Sequence, residues 1–236
     1  ATRQVTVNLF AVTSLKEQYN KIKAHGLEAE GTAGVMYHNK DGRVSFRPST
    51  ESKPVYKFPH RKGDETEGAV VIYQSPYLTD QEEVPHNLYI VCHDPYAQSK
   101  STNNESLGAA YVIKRPNNLS KPDDLIVASY VGRPRTQDEY NRNLFMLAEY
   151  YNAKIGFEND RGELIAYAKR YRKLHKLQEE FEMLDKRELR SRNVRRQYGM
   201  HMTEQRKRQG ELYIRDWLIT PRHTDEDGNT KLNLHT

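Results

Sequence analysis

Cysteine is almost missing from this chain. Cys92 is the one thiol among 236 residues, so neither an intrachain disulfide framework nor a cysteine-based zinc site can form. No apolar run approaches the eighteen or so residues a membrane span needs. No signal peptide is apparent either, so a reducing intracellular compartment is the expectation. The phosphate-loop spacing G-x-x-x-x-G-K-[ST] occurs nowhere, which excludes a P-loop ATPase within these residues. Apolar residues are sparse, at 36% against 29% charged, with a mean hydropathy of −0.93. Much of the length must therefore face water or a polar partner. The first residue is Ala1 rather than Met, as expected of an excised fragment.

Charge is present but unevenly spread. The formal net charge is only +5, yet the stretch from Arg161 to Arg215 holds 16 Lys or Arg against 8 Asp or Glu. The remainder is slightly negative, so one quarter of the chain carries the basic character.

Local signals give an order of elements. Ser14-Leu15-Lys16-Glu17 has the capping-box spacing, Leu15, Tyr19 and Ile22 follow on one face, and Gly26 stops this first helix. Gly34 to Phe46 predicts a hairpin turning at Asn39-Lys40-Asp41-Gly42. Ala69 to Tyr73 predicts a strand closed by Ser75-Pro76. Leu88 to Cys92, with Pro85 before and Pro95 after, reads as a strand buried on both faces. It runs into His93 and Asp94. Gly108 to Lys114 and Leu125 to Val131 predict two more strands, joined through the turn residues Arg115-Pro116-Asn117-Asn118. Thr136-Gln137-Asp138-Glu139 is a second capping box, and Tyr140, Leu144, Leu147, Ala148 and Tyr151 form a helical stripe behind it. Ala153 to Phe157 predicts a strand that ends at Glu158. Glu163 to Lys176 is helical in spacing, Thr203 caps a last helix through Trp217, a core residue, and the polar tail from Pro221 onward reads as loose.

Two acids then stand out, because each closes a strand. Three strands in a meander followed by a helix predict a parallel crossover of the fourth strand. If that strand lies beside the first, Asp94 and Glu158 emerge at one sheet edge about 5 Å apart. Paired hard oxygen donors at such a spacing suit Mg²⁺ or Mn²⁺ rather than zinc. The plainer reading of Asp94 is a turn cap before Pro95, and of His93 a structural histidine on the opposite sheet face. The expected architecture is α/β, a ribonuclease H-like mixed sheet of three antiparallel strands plus a parallel fourth flanked by helices, with an N-terminal helix and hairpin extension. Its domains are expected at 1–67 for the extension and 68–236 for the ribonuclease H-like body.

Tyr89-Ile90-Val91-Cys92-His93-Asp94-Pro95-Tyr96, Ser129-Tyr130-Val131-Gly132-Arg133-Pro134, Asn143 to Asn152, and Ala153-Lys154-Ile155-Gly156-Phe157-Glu158-Asn159-Asp160 together resemble the nuclease domain of the tailed-phage terminase large subunit. The resemblance covers about Gly68 to Leu218, and the stretch from Gly34 to Pro76 looks like the link between motor and nuclease in such proteins. It implies a two-metal-ion endodeoxyribonuclease that cuts double-stranded viral DNA during genome packaging in the host-cell cytoplasm, with Asp94 and Glu158 as catalytic metal ligands and two Mg²⁺ or Mn²⁺ ions. It also implies as partners the ATPase motor of the same full-length protein, the portal and the small terminase subunit, and no membrane.

Arg187, Arg190, Arg192, Arg195 and Arg196 could contact DNA phosphates, or form a solvated face. Two departures from the family's pattern weigh on this reading. The motor's phosphate loop is absent, and no segment matches the family's third metal-binding Asp in its Asn-x-Asp context. Asp225 and Asp227 fall late enough but in a polar tail, and Asp160 could serve as a nearby acid or as a helix cap. The domain is therefore expected to be truncated at its C-terminus, with one ion poorly held and weak activity. The alternatives are a non-catalytic DNA-binding or docking domain of the same fold, or another ribonuclease H-like nuclease of resolvase or transposase type.

Overall fold

The computed structural model describes residues 12–25, 31–55, 63–96, 106–159, 163–180, 198–224, 228 and 230–232. Contacts divide the chain into two units, Gly31–Met202 and a second made of Ala1–Glu30 with Thr203–Thr236. The larger unit is built on one mixed sheet. Its strands are β1 (Thr32–His38), β2 (Val44–Pro48), β3 (Ala69–Ile72), β4 (Tyr89–Asp94), β5 (Gly108–Lys114), β6 (Leu125–Gly132) and β7 (Lys154–Phe157). The order across the sheet is β2-β1-β3-β6-β5-β4-β7. Every neighbouring pair is antiparallel except β4 and β7, which run parallel.

The meander β4-β5-β6, the helix α2 (Gln137–Tyr150) and the parallel return of β7 give an α/β, ribonuclease H-like arrangement. The antiparallel hairpin β1-β2 does not stand apart from it. β1 pairs with β3 and β3 with β6, so the hairpin extends the same sheet at its β6 edge.

Helix α2 covers one face of this sheet for reasons already visible in its residues. Thr136 Oγ1 accepts from the Glu139 amide at 3.2 Å while the Glu139 carboxylate accepts from the Thr136 amide at 3.1 Å, which satisfies two otherwise orphaned donors of the first turn. Tyr140, Leu144, Leu147, Ala148 and Tyr151 are then fully buried in the core with Val91, Val112 and Ala128 of the strands. α3 (Glu163–Arg170) packs on α2 through Tyr167, stacked on Phe145 at 5.4 Å. Two ion pairs, Lys173–Glu149 at 2.6 Å and Arg170–Asp138 at 3.1 Å, tie the segment after β7 to α2. Part of the basic quarter is thus spent on internal pairing.

Four expectations need correction. The Leu88–Cys92 run is not covered on both faces: Tyr89, Ile90 and Val91 are buried, but Cys92 is exposed. Helix α2 shields one face only, so strand alternation resurfaces in the second half of β4, as it does at Tyr111 across the ladder. In the smaller unit, α1 spans Val12–His25, so Ser14 lies inside the helix instead of capping it, with Leu15 and Tyr19 exposed. Among the described residues of the tail expected to be loose, β8 (Pro221–Thr224) pairs antiparallel with β9 (Thr230–Leu232). The helix before it, α4 (Glu204–Leu218), is capped by Thr203 as expected, with Trp217 half-buried rather than in a core. No helix among the described residues is long and apolar enough to cross a membrane.

Candidate active site

The parallel ladder sets the site. Ile90 pairs with Lys154, Val91 with Ile155, Cys92 with Gly156 and His93 with Phe157, so continuing the same register by one step sets Asp94 opposite Glu158. Opposed residues of neighbouring strands share a sheet face at a spacing of about 4.8 Å. The two acids therefore belong to one edge, as the strand ends suggested. Asp94 is exposed and Glu158 half-buried. Burial of its surroundings holds the Asp94 carboxyl above the usual aspartate range, because desolvation disfavours the charged form.

Glu158 is held by a segment that sequence reasoning missed. The Met200 amide donates to Phe157 O at 2.8 Å and the Asn159 amide donates to Met200 O at 2.8 Å, so residues 198–200 bracket Glu158 on the side away from β4. Asn159 Nδ2 adds a bond to Tyr198 O at 2.8 Å, and the Gly199 amide donates to Gln178 O at 2.9 Å. Only glycine suits position 199. Its φ is +77°, and a Cβ there would lie 2.8 Å from the Phe157 ring. The legible signal was the Tyr198-Gly199 pair, a turn-like interruption between polar runs.

Behind Asp94, on the α2 face, lies a box of aromatic side chains. His93 is buried and stacks on Tyr140 with centroids 5.4 Å apart. Tyr140 stacks on Tyr130 at 4.7 Å and meets Tyr96 edge-on at 5.3 Å. Arg133 lies 4.9 Å over the Tyr96 ring and donates from Nη1 to Ser106 O at 2.7 Å. His93 faces away from Asp94, as alternation requires. Its Nδ1 lies 3.2 Å from Ala109 O, which makes that nitrogen the protonated one. Burial holds the imidazole neutral, with its pKa pushed down to about 4. Nε2 of His93 and the hydroxyls of Tyr96 and Tyr140 are buried without a hydrogen-bond partner among the described residues, as are Gln137 Oε1 and Asn141 Oδ1 on the first turns of α2.

The donor set fits a hard divalent cation in kind, since the two side chains that the continued register would set opposite each other offer carboxylate oxygens. Among the described residues no group of three or more His, Cys, Asp or Glu could hold a metal ion. Asp160, Asp225 and Asp227 lie outside the described residues, and so do Arg187, Arg190, Arg192, Arg195 and Arg196. Comparison with protein-family models, with curated proteins and with solved structures found no match. The fold class therefore stands on the strand order and the site on its own geometry.

Proposed function

We propose that this chain is the metal-dependent endonuclease domain of a terminase large subunit, cutting double-stranded viral DNA during genome packaging in the host-cell cytoplasm. The observation that supports it is the parallel register of β4 and β7, whose continuation by one residue beyond His93 and Phe157 would set Asp94 opposite Glu158. Two like charges at one edge repel, and such pairs persist where a cation lies between them. Asp94 and Glu158 are the ligands in this reading. Bound Mg²⁺ or Mn²⁺ ions supply an activated water and charge neutralisation at the leaving oxygen of a phosphodiester. The basic stretch from Arg161 to Arg215, including Arg187, Arg190, Arg192, Arg195 and Arg196, would take the DNA phosphates. An ATPase motor in the full-length protein, the portal and the small subunit are the protein partners that go with this role.

The test is nicking of supercoiled plasmid by the purified chain with Mn²⁺ or Mg²⁺, set beside Asp94→Asn and Glu158→Gln. Both substitutions keep side-chain volume and remove a ligand charge, so both should abolish cation-dependent nicking without loss of fold. Nicking at the parental rate by either variant would remove that acid from the site. Binding of DNA without cleavage under any cation would leave a docking domain of the same fold.

A further inference from the structure

The sheet face turned away from α2 carries a lane that leads to Asp94. Asp94 pairs with Ala109, Ala109 with Val131 and Val131 with Ala69, and paired residues of neighbouring strands share a face. Val91, Val112 and Ala128, buried beneath α2, alternate with this face along their strands. Small side chains thus floor the lane for three strand spacings, about 14 Å. One step beyond the pair Gly34 and Val70 the same row reaches Val35, whose partner on the edge strand β2 is Arg47. Tyrosines wall the lane on one side. Tyr111 stands on this face two residues along β5 from Ala109, about 7 Å away, and pairs with Ser129. Tyr73 Oη meets Ser129 Oγ at 2.9 Å, so the two phenols flank one residue. Both side chains remain exposed, Tyr111 at 40% and Tyr73 at 41%. Cations stand at both margins of the face. Arg47 lies 5.8 Å over the Tyr37 ring, and Lys154 of the other edge strand is the partner of Ile90. Both are exposed, and neither forms an ion pair among the described residues.

Exposed aromatic rings beside unpaired cations are the means by which proteins hold single-stranded nucleic acid, the rings stacking on bases and the cations following phosphates. The bases of an intact duplex are stacked on one another, so their faces are closed to a tyrosine. We propose that this lane holds an unpaired stretch of DNA about two nucleotides long, its bases on Tyr111 and Tyr73 and a phosphate beside Asp94. This rests on the reading of Asp94 as part of a DNA-cutting site. It adds that the strand is unpaired where it is cut, so the duplex has to open locally before cleavage.

The experiment is equilibrium binding of the full chain to labelled oligothymidylate and to a duplex of the same length, read by fluorescence anisotropy in chelator so that nothing is cut. Tyr111→Ala should bind the single strand about tenfold more weakly and the duplex as the parent does. Tyr111→Phe keeps the ring and should match the parent on both. Arg47→Gln, at an exposed edge position, should lower the salt slope of single-strand binding by about 0.7. Parental single-strand affinity in Tyr111→Ala overturns the proposal, as does an equal loss on the duplex, which would show contact with the backbone rather than with bases. A parent that sediments as a dimer without DNA, made monomeric by Tyr111→Ala, overturns it too, because the face would then belong to a second copy of the chain. The underlying reading fails separately: nicking at the parental rate by Asp94→Asn removes the cleavage site and leaves binding in chelator as the measure of the lane.

Discussion

The two ends of the same sheet treat their polar groups in opposite ways. At the end where β4 begins and β5 finishes, buried polar groups are paired. The wholly buried Lys114 donates from Nζ to Pro122 O at 2.8 Å and Ser120 Oγ at 3.0 Å. Tyr151 donates to Gln74 O at 2.6 Å, Tyr89 Oη accepts from the Tyr77 amide at 2.9 Å, and Asn152 Nδ2 donates to Val84 O at 2.9 Å. Among the described residues Gln74 Oε1 is the exception there. At the other end, where Asp94 and Glu158 emerge, His93, Tyr96, Gln137, Tyr140 and Asn141 each keep a buried polar atom without a partner among the described residues. One end uses its polar groups to hold loops in place. The other leaves them unspent beside two acids, and such local departures from full pairing are where function is expected.

Three measurements would break or sharpen this contrast. The largest effect should come from acid. His93 has a folded pKa near 4 against an ordinary value of 6.5, so its contribution to stability is complete above about pH 6.5 and is lost as pH falls toward 4, because only the unfolded chain takes up the proton. Over that window the loss approaches about 3 kcal/mol. Chemical denaturation between pH 7 and pH 4 should show it, and His93→Phe should flatten the curve. Next comes Tyr151→Phe at the paired end. It leaves Gln74 O without its 2.6 Å donor and should cost about 2 kcal/mol, read as a lower denaturation midpoint with unchanged slope. If it costs nothing, the paired end is not held by its hydrogen bonds. The smallest is Gly108→Ala. The added methyl meets the Tyr140 ring, and overpacking typically costs 1–3 kcal/mol, offset in part by the entropy a glycine loses on folding. A net loss of about 1 kcal/mol is expected in the same assay, and a gain would show that the ring can withdraw.

The elements that were legible in the sequence are those whose signal is local. The Thr136–Glu139 box and the stripe from Tyr140 to Tyr151 lie within one helix, and both appear as expected. The ladder followed from strand order, since a helix between β6 and β7 permits little other than a parallel return. What remained hidden depends on convergence. The aromatic box draws single residues from β4, the turn after it, β6 and α2, and no spacing along the chain marks them as neighbours. The bracket at 198–200 stayed hidden for the same reason: Tyr198-Gly199 marks an interruption, but nothing along the chain says that these three residues, far from Glu158 in sequence, complete its backbone pairing. Cys92 misled because a continuous apolar run does not reveal which of its two faces will be covered. The hairpin after α4 was missed because residues 221–232 are polar on both sides, so no alternation announces a strand pair.

The direct bonding of β4 to β7 decides which changes in length the gene can tolerate. The acids are sixty-four positions apart, but that interval carries no weight. Insertions between Arg115 and Asp124 would leave the ladder, and with it the juxtaposition, unaltered. The loss of one codon within Lys154–Phe157 is different in kind. A slip by one residue exchanges the faces of a strand, so Asn159 would arrive opposite Asp94 and Glu158 would turn toward the buried side now occupied by Phe157. A three-base deletion there would replace a carboxylate by a carboxamide without any substitution having occurred.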